Sequence, residues 1–415
     1  MADFEKAYET GTHVRYFLEE NHTFPTVSLG VFVKSGTRYE IDVKPGIAHF
    51  VEHMVFKETK KRSAFEISNA IESLGGEINA FTSSEYSLFY VRLLSKDIEV
   101  GFDVLSDILS RPTFNKELLE KEREVILEEI YEFTDDPQDI CEIEALHSIW
   151  GDESLARNPL GSVESVKSIT QDDLFSYFER FFKKGNIFVS ATGDIDRGRF
   201  EDLIERYFGT FSEGDSDFVF KVPSYRFLNI DYPKDTAQLH LSVTFRGARN
   251  FTHDSYLHSI FTTALGGNMS SRLFQKLREE YGLVYTVYAY PVRLTDAGGT
   301  VIYASTLPKY GDIIKDMILE ELNEIEEKGL TEKEFTNAKN YLLGNLILGL
   351  ENTSSRMQRN GISGLLQGQV KTVQAIIKEV EHIEKEEFDA YIKTLLDGTF
   401  ALVRVGKING KGNNA

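Results

Sequence analysis

Leu94-Ser-Lys-Asp97, an amphipathic run over 98–109, Pro112-Thr-Phe-Asn-Lys-Glu117 and a helix ending near Tyr131 form a succession that this chain uses twice. It returns as Leu307-Pro-Lys-Tyr310, a run over 313–325, Gly329-Leu-Thr-Glu-Lys-Glu334 and a helix reaching Leu350. Self-similarity at this spacing marks two copies of one architectural unit. The strand-and-turn stretches 27–38 and 238–249 extend the match loosely. Strand-like and helix-like segments alternate irregularly, not as a strict βαβ repeat. The expected class is therefore α+β: two homologous α/β-sandwich halves, each an antiparallel-rich sheet packed with helices. The halves are expected at 1–215 and 235–406. A Gly-, Ser-, Asp- and Pro-rich linker over 216–234 joins them, and 407–415 reads as a flexible tail.

Local signals fill in the first half. Thr26–Val33 reads as a strand that turns at Ser35-Gly36, after a first strand around 12–18. A helix is expected over 46–56, with Pro45 near its start. Ser63 and Glu66 have capping-box spacing for a helix over 63–74, and Gly75-Gly76 stops it. Strands follow around 77–81 and 87–94.

The chain has 415 residues, of which 41% are hydrophobic and 12% aromatic, enough to bury substantial cores without covalent staples. Its 46 basic and 66 acidic residues leave a net charge of −20. That balance argues against nucleic acid or an anionic membrane as partner and favours a peptide carrying some positive charge. Cys141 is the single cysteine, so an intrachain disulfide is excluded and a reducing, cytoplasmic setting is expected. The acidic opening Met1-Ala-Asp-Phe-Glu reads as neither a secretory signal nor a transit peptide.

His49-Phe50-Val51-Glu52-His53 carries the chemistry. At ~100° per residue the two imidazoles lie about 40° apart on one helix face, with Glu52 about 60° to the other side of His49. Two nitrogens can hold a divalent ion there while the carboxylate addresses a water beside it. H-x-x-E-H is the inverzincin signature. A catalytic zinc site of the His₂Glu type needs one further carboxylate and an open position. Lys121-Glu-Arg-Glu-Val-Ile-Leu-Glu-Glu-Ile130 offers several: Glu122 and Glu129 are only ~20° apart around the axis, whereas Glu128 points ~100° away from Glu129. The spacing requires at least one inward acid and leaves the choice open. The other seven histidines (His13, His22, His147, His240, His253, His258 and His382) lack partners at ligand spacing and read as surface or core.

With these residues in view, the sequence resembles the pitrilysin/insulinase family of zinc peptidases, in its two-domain, mitochondrial-processing-peptidase-like branch. The resemblance implies that His49, His53 and Glu129 bind one Zn²⁺ per chain, that Glu52 is the general base, and that Glu122 orients a ligand. Gly75-Gly-Glu-Ile-Asn-Ala-Phe-Thr82 resembles the family's substrate-binding strand, which implies that Asn79, Ala80 and Phe81 lie on a sheet edge that pairs with an extended peptide. Arg278-Glu-Glu-Tyr-Gly-Leu-Val-Tyr285 matches the family's Arg and Tyr pair, which implies that Arg278 and Tyr285 hold substrate and polarise the scissile carbonyl. Gly282 is expected to end the helix of Arg278 and to lead into a strand over 283–290. In the repeat register Ala338 stands for Glu122 and Asn345 for Glu129, so the second half is expected to lack metal. The sequence departs from the family in lacking an Asn-Gly start before its first strand. It also lacks the Gly-rich loop of the processing peptidase's non-catalytic subunit.

The resemblance thus implies a zinc metalloendopeptidase in which zinc and Glu52 activate water against short or unfolded peptides. Relatives enclose substrate in a chamber of four half-units, so a homodimer is expected, with Arg278 and Tyr285 acting on the partner's zinc. The alternative is a non-catalytic peptide-binding or scaffold subunit of the same fold, whose expected mark, erosion of the metal residues, is missing here.

Overall fold

The computed structural model describes residues 3–215, 218 and 220–408. The described residues pack into two compact units. One gathers those of Met1–Ile130, Asn158–Val219 and Ile347–Ala375; the other gathers those of Tyr131–Arg157, Phe220–Leu346 and Ile376–Ala415. Each unit is a sheet with helices packed against it.

In the first unit the spatial strand order is Tyr8–Glu9, Arg15–Glu20, Ile187–Gly193, Thr26–Val33, Ser87–Leu94, Glu77–Thr82. Arg15–Glu20 runs parallel to Ile187–Gly193, and every other neighbouring pair is antiparallel. In the second unit the order from the opposite end is Ile230–Pro233, Ala401–Gly406, Leu239–Arg246, Gly298–Thr306, Val284–Arg293, again with one parallel pair, the first. Five strands therefore repeat one topology, and Glu77–Thr82 and Val284–Arg293 are matching edge strands. Ile230–Pro233 lies inside the stretch expected to link the halves and is a strand of the second sheet.

Each unit takes a helix from the other half of the chain. Pro137–Trp150 packs on the second sheet, where Ser148 Oγ meets Thr244 Oγ1 at 2.6 Å. Thr353–Gln367 packs on the first, where Ser190 Oγ donates to the Met357 carbonyl at 2.9 Å. The close approach of the latter depends on a missing side chain. A Cβ at Gly361 would stand 2.0 Å from Cε2 of Phe32, an aromatic ring with no room to retreat.

The first core strand begins later than the sequence suggests, at Arg15 instead of near Thr12. A turn intervenes, with His13 at φ 63° and the Thr10 N–H donating to the Val14 carbonyl at 3.0 Å. Cys141 is buried and free. Among the described residues no helix is long and apolar enough to cross a membrane. Of the expected tail, 409–415 lie outside the described residues.

Candidate metal centre

Ile47–Val55 is helical and buries Ile47, Ala48, Phe50, Val51, Met54 and Val55. That stripe uses up one side of the helix and leaves His49, Glu52 and His53 together on the other. The start of the helix is built by contacts the sequence does not advertise. Gly46 takes φ 86°, where a Cβ would lie 2.6 Å from the Leu160 carbonyl oxygen. The buried carboxylate of Glu40 accepts the Gly46 N–H at 3.0 Å and the Ala48 N–H at 2.9 Å, satisfying amides that the first turn leaves free.

The facing acids come from the helix Lys116–Asp135, which buries Leu119, Glu122, Arg123, Ile126, Leu127 and Ile130. Arg123 fixes its rotation. The guanidinium donates to the Ile169 carbonyl at 2.8 Å and lies 5.5 Å from the ring centroid of Phe50 on the histidine helix. Glu128 is exposed.

Ligand atoms of His49, His53 and Glu129 all lie within 4.8 Å of one another. The two Nε2 atoms are 3.1 Å apart, and Glu129 Oε2 stands 3.8 Å from His49 Nε2 and 3.7 Å from His53 Nε2. Nitrogens ~2.0–2.1 Å from a tetrahedral zinc would stand about 3.3 Å apart, so the residues present fit a zinc-sized ion. The chemistry of the donors agrees. Burial, and behind it the neighbouring His53, pushes the His49 imidazole down to about 3, which keeps it neutral and able to donate a lone pair. Glu122 Oε1 sits 2.8 Å from His53 Nδ1, which places the ring proton on Nδ1 and leaves Nε2 free toward Glu129. Glu52 and Glu129 gather beside the two imidazoles, an arrangement that suits a cation, while Glu122 is already paired with Lys57.

Glu52 lies beside the pair and accepts a hydrogen bond from Thr82 Oγ1, the last residue of the edge strand Glu77–Thr82. Burial pushes its carboxyl above the usual carboxylate range, against the pull of the Thr82 hydrogen bond. Burial would likewise raise Glu122, but hydrogen bonds from His53 and Lys57 outweigh it and hold that carboxyl below its ordinary value. Asn79, Ala80 and Phe81 lie on the same edge strand, whose one sheet neighbour among the described residues is Ser87–Leu94.

Residues 15–162 match the family described as Insulinase (Peptidase family M16), and residues 168–342 match the one described as Peptidase M16 inactive domain. The uncharacterized zinc protease YmxG of Bacillus subtilis is 34% identical over 400 residues, covering 96% of this chain and 98% of that protein. The uncharacterized zinc protease Rv2782c of Mycobacterium tuberculosis is 33% identical over 404 residues, covering 96% and 91%. This chain belongs to the M16 peptidase family. The solved structures agree on the M16 fold. A peptidase M16 inactive domain from Pseudomonas fluorescens superposes with a TM-score of 0.91 at 18% identity, over 99% of both chains. A protease from Helicobacter pylori superposes at 0.90 with 17% identity, over 97% of this chain and 99% of that one.

In this M16 chain Arg278 and Tyr285 belong to the second unit, and His49, Glu52, His53 and Glu129 to the first. Arg278 is carried by Phe274–Glu280, a wide π-type turn where an ordinary helix is expected, and Gly282 at φ 61° closes it. Tyr285 falls at an irregularity of register between Val284 and Thr286, at the start of the edge strand Val284–Arg293. Such bulges re-aim side chains, and Tyr285 is 72% exposed with its ring 5.5 Å from the Arg278 guanidinium. Ala338 is buried and Asn345 exposed on the helix Glu332–Gly349. Among the described residues, His49, His53 and Glu129 are the one group of three or more His, Cys, Asp and Glu side chains placed to hold an ion.

Sequence reasoning missed Glu40, Lys57 and Thr82 as parts of this site. Lys57 follows His53 by four residues, a spacing that signals a shared helix face. Glu40 and Thr82 carry no comparable signal.

Proposed function

We propose that this chain is a zinc metalloendopeptidase acting on short or unfolded peptides, with one ion per chain held by His49, His53 and Glu129. The observation that carries the reading is the convergence of those three donors within 4.8 Å, beside Glu52, in an M16 chain. The names of the zinc-protease relatives support zinc over other divalent ions.

When bound, the ion would act as a Lewis acid that acidifies water and polarises a carbonyl. Glu52 takes the proton of the attacking water on a carboxylate oxygen and delivers it to the leaving amine nitrogen. Thr82 keeps the carboxylate turned toward the reaction. The free edge of Glu77–Thr82 takes the substrate backbone as an added strand, with Asn79, Ala80 and Phe81 alongside it, which carries the peptide toward Glu52. Arg278 and Tyr285 supply a cation and a hydroxyl to the oxyanion that develops on the scissile carbonyl.

The chain carries two sheet-plus-helix units, half of the four that enclose substrate in the relatives it resembles. We therefore infer a homodimer in which Arg278 and Tyr285 serve the partner's active site. Mixing Glu52→Gln chains with Tyr285→Phe chains tests this: a trans arrangement recovers activity above either parent, and a cis arrangement recovers none. The net charge of −20 favours basic peptides.

The competing reading, a non-catalytic scaffold, draws on the inactive-domain match of the second half. It predicts no turnover at all. Cleavage of a quenched fluorogenic peptide, abolished by a chelator and restored by zinc, supports the enzyme; a zinc-loaded protein that cleaves no peptide supports the scaffold.

A further inference from the structure

Glu122 presents a problem that its position alone does not solve. It is a carboxylate whose side chain is 6% exposed, and one oxygen, Oε1, is committed to His53 Nδ1 at 2.8 Å. Left without a partner, the second oxygen would be buried and unpaired, and the carboxylate would be free to pivot about its own bond. Lys57 supplies that partner, with Nζ 2.7 Å from Glu122 Oε2. Among the described residues His53 and Lys57 are the two groups bonded to the Glu122 carboxylate. Lys57 is reached from the end of the histidine helix itself, where its N–H donates to the Met54 carbonyl at 3.1 Å. At 34% side-chain exposure it bridges solvent and the buried acid.

We propose that Lys57 is a positioning residue of the metal centre. Its ammonium locks the Glu122 carboxylate, and the locked carboxylate holds the His53 ring with Nε2 turned toward His49 and Glu129. The lysine lies outside the group of converging donors. It closes a loop that leaves the histidine helix at His53, crosses to the glutamate helix at Glu122 and returns to the histidine segment four residues on. Such a closed circuit fixes two helices against each other at the point where their donors must meet. It also occupies the one oxygen of Glu122 that could otherwise turn toward the ion. This inference rests on the metal-binding reading above.

The test uses the full chain stripped of metal. Zinc affinity is measured by competition with a chromophoric chelator for the wild type, Lys57→Met and Lys57→Arg, alongside the absorption spectrum of each protein loaded with Co²⁺. Partners that orient a ligand are worth roughly 10–100-fold in metal affinity, so Lys57→Met is expected to weaken zinc binding by that factor and to shift the cobalt bands. Lys57→Arg, which keeps a cationic donor, is expected to restore both to near wild type. Lys57→Gln replaces the methionine variant should that one not fold. Wild-type affinity and an unshifted cobalt spectrum in Lys57→Met overturn the proposal, as does an arginine variant no better than methionine. A wild-type protein that takes up no zinc overturns the metal-binding reading as well, which separates the two failures.

Discussion

The helix Ile47–Val55 in the first unit and the helix Asp254–Gly266 in the second hold the same place in the repeated order, each following a central strand and preceding the edge hairpin. Their surroundings have diverged. The first leaves one face free for His49, Glu52 and His53, opposite the acids of Lys116–Asp135. The second buries residues from Ser255 to Gly266 almost all round, and its counterpart helix Glu332–Gly349 carries Ala338 and Asn345 where Glu122 and Glu129 stand. The shared strand order shows that the scaffold does not dictate the chemistry; a few side chains do. The edge strand of the second unit instead carries a bulge that exposes Tyr285 beside Arg278.

The contrast is most sharply tested at Glu52. Glu52→Gln is expected to lower kcat for a fluorogenic peptide by about 10²–10⁴-fold while zinc content stays unchanged, because it removes a proton acceptor and no ligand. A loss of zinc along with activity would make Glu52 a ligand and dissolve the division of roles drawn here.

The exchanged helices offer a structural version of the same comparison. Gly361→Ala drives a Cβ to 2.0 Å from the Phe32 ring, whereas Gly299→Ala meets the terminal methyl of the buried Ile149 at 2.7 Å. The first substitution is expected to cost about 1–3 kcal/mol in thermal unfolding, and the second less. Equal losses would mean that the two helices are seated alike.

A further effect should appear with pH. Burial, and behind it the charge of Arg293, pushes the His258 imidazole of the second unit down to about 3. The unfolded chain takes up a proton below about pH 6.5 that the folded chain refuses, so stability present above that pH is lost progressively as pH falls toward 3. His258→Asn keeps an acceptor for the Ala248 N–H and should flatten that part of the stability profile. An unchanged slope would remove His258 as its source.

The smallest effect is expected from adding an acid to the second unit. Asn345→Glu, at an exposed position, should leave zinc stoichiometry at one per chain, since no histidine pair faces it among the described residues. A second equivalent of zinc would show that an acid alone suffices.

Much of this was legible in the sequence because it is local. The Ser63–Glu66 capping box is present with both of its bonds, and Gly75 at φ 76° ends that helix as expected. The strand Thr26–Val33 and the edge strand Glu77–Thr82 fall where alternation and turns put them. Helix geometry puts the i, i+4 histidines on one face and the acids one heptad apart on another, whereas the meeting of Glu129 with the pair is a product of packing that the resemblance implied. What stayed hidden is what long-range packing decides. The helices Pro137–Trp150 and Thr353–Gln367 were not read from the sequence, and no local pattern says which sheet either will cover. The cap supplied by Glu40, the Thr82 bond to Glu52 and the bulge at Tyr285 each depend on partners that the linear order does not bring together.

Zinc-edge anomalous diffraction from crystals of the zinc-loaded chain decides whether these residues hold the ion. One peak per chain is expected, bonded to Nε2 of His49, Nε2 of His53 and a carboxylate oxygen of Glu129, with Glu52 unbonded beside it. A zinc-replete crystal with no peak among these residues, or with its ion held elsewhere, would contradict that assignment.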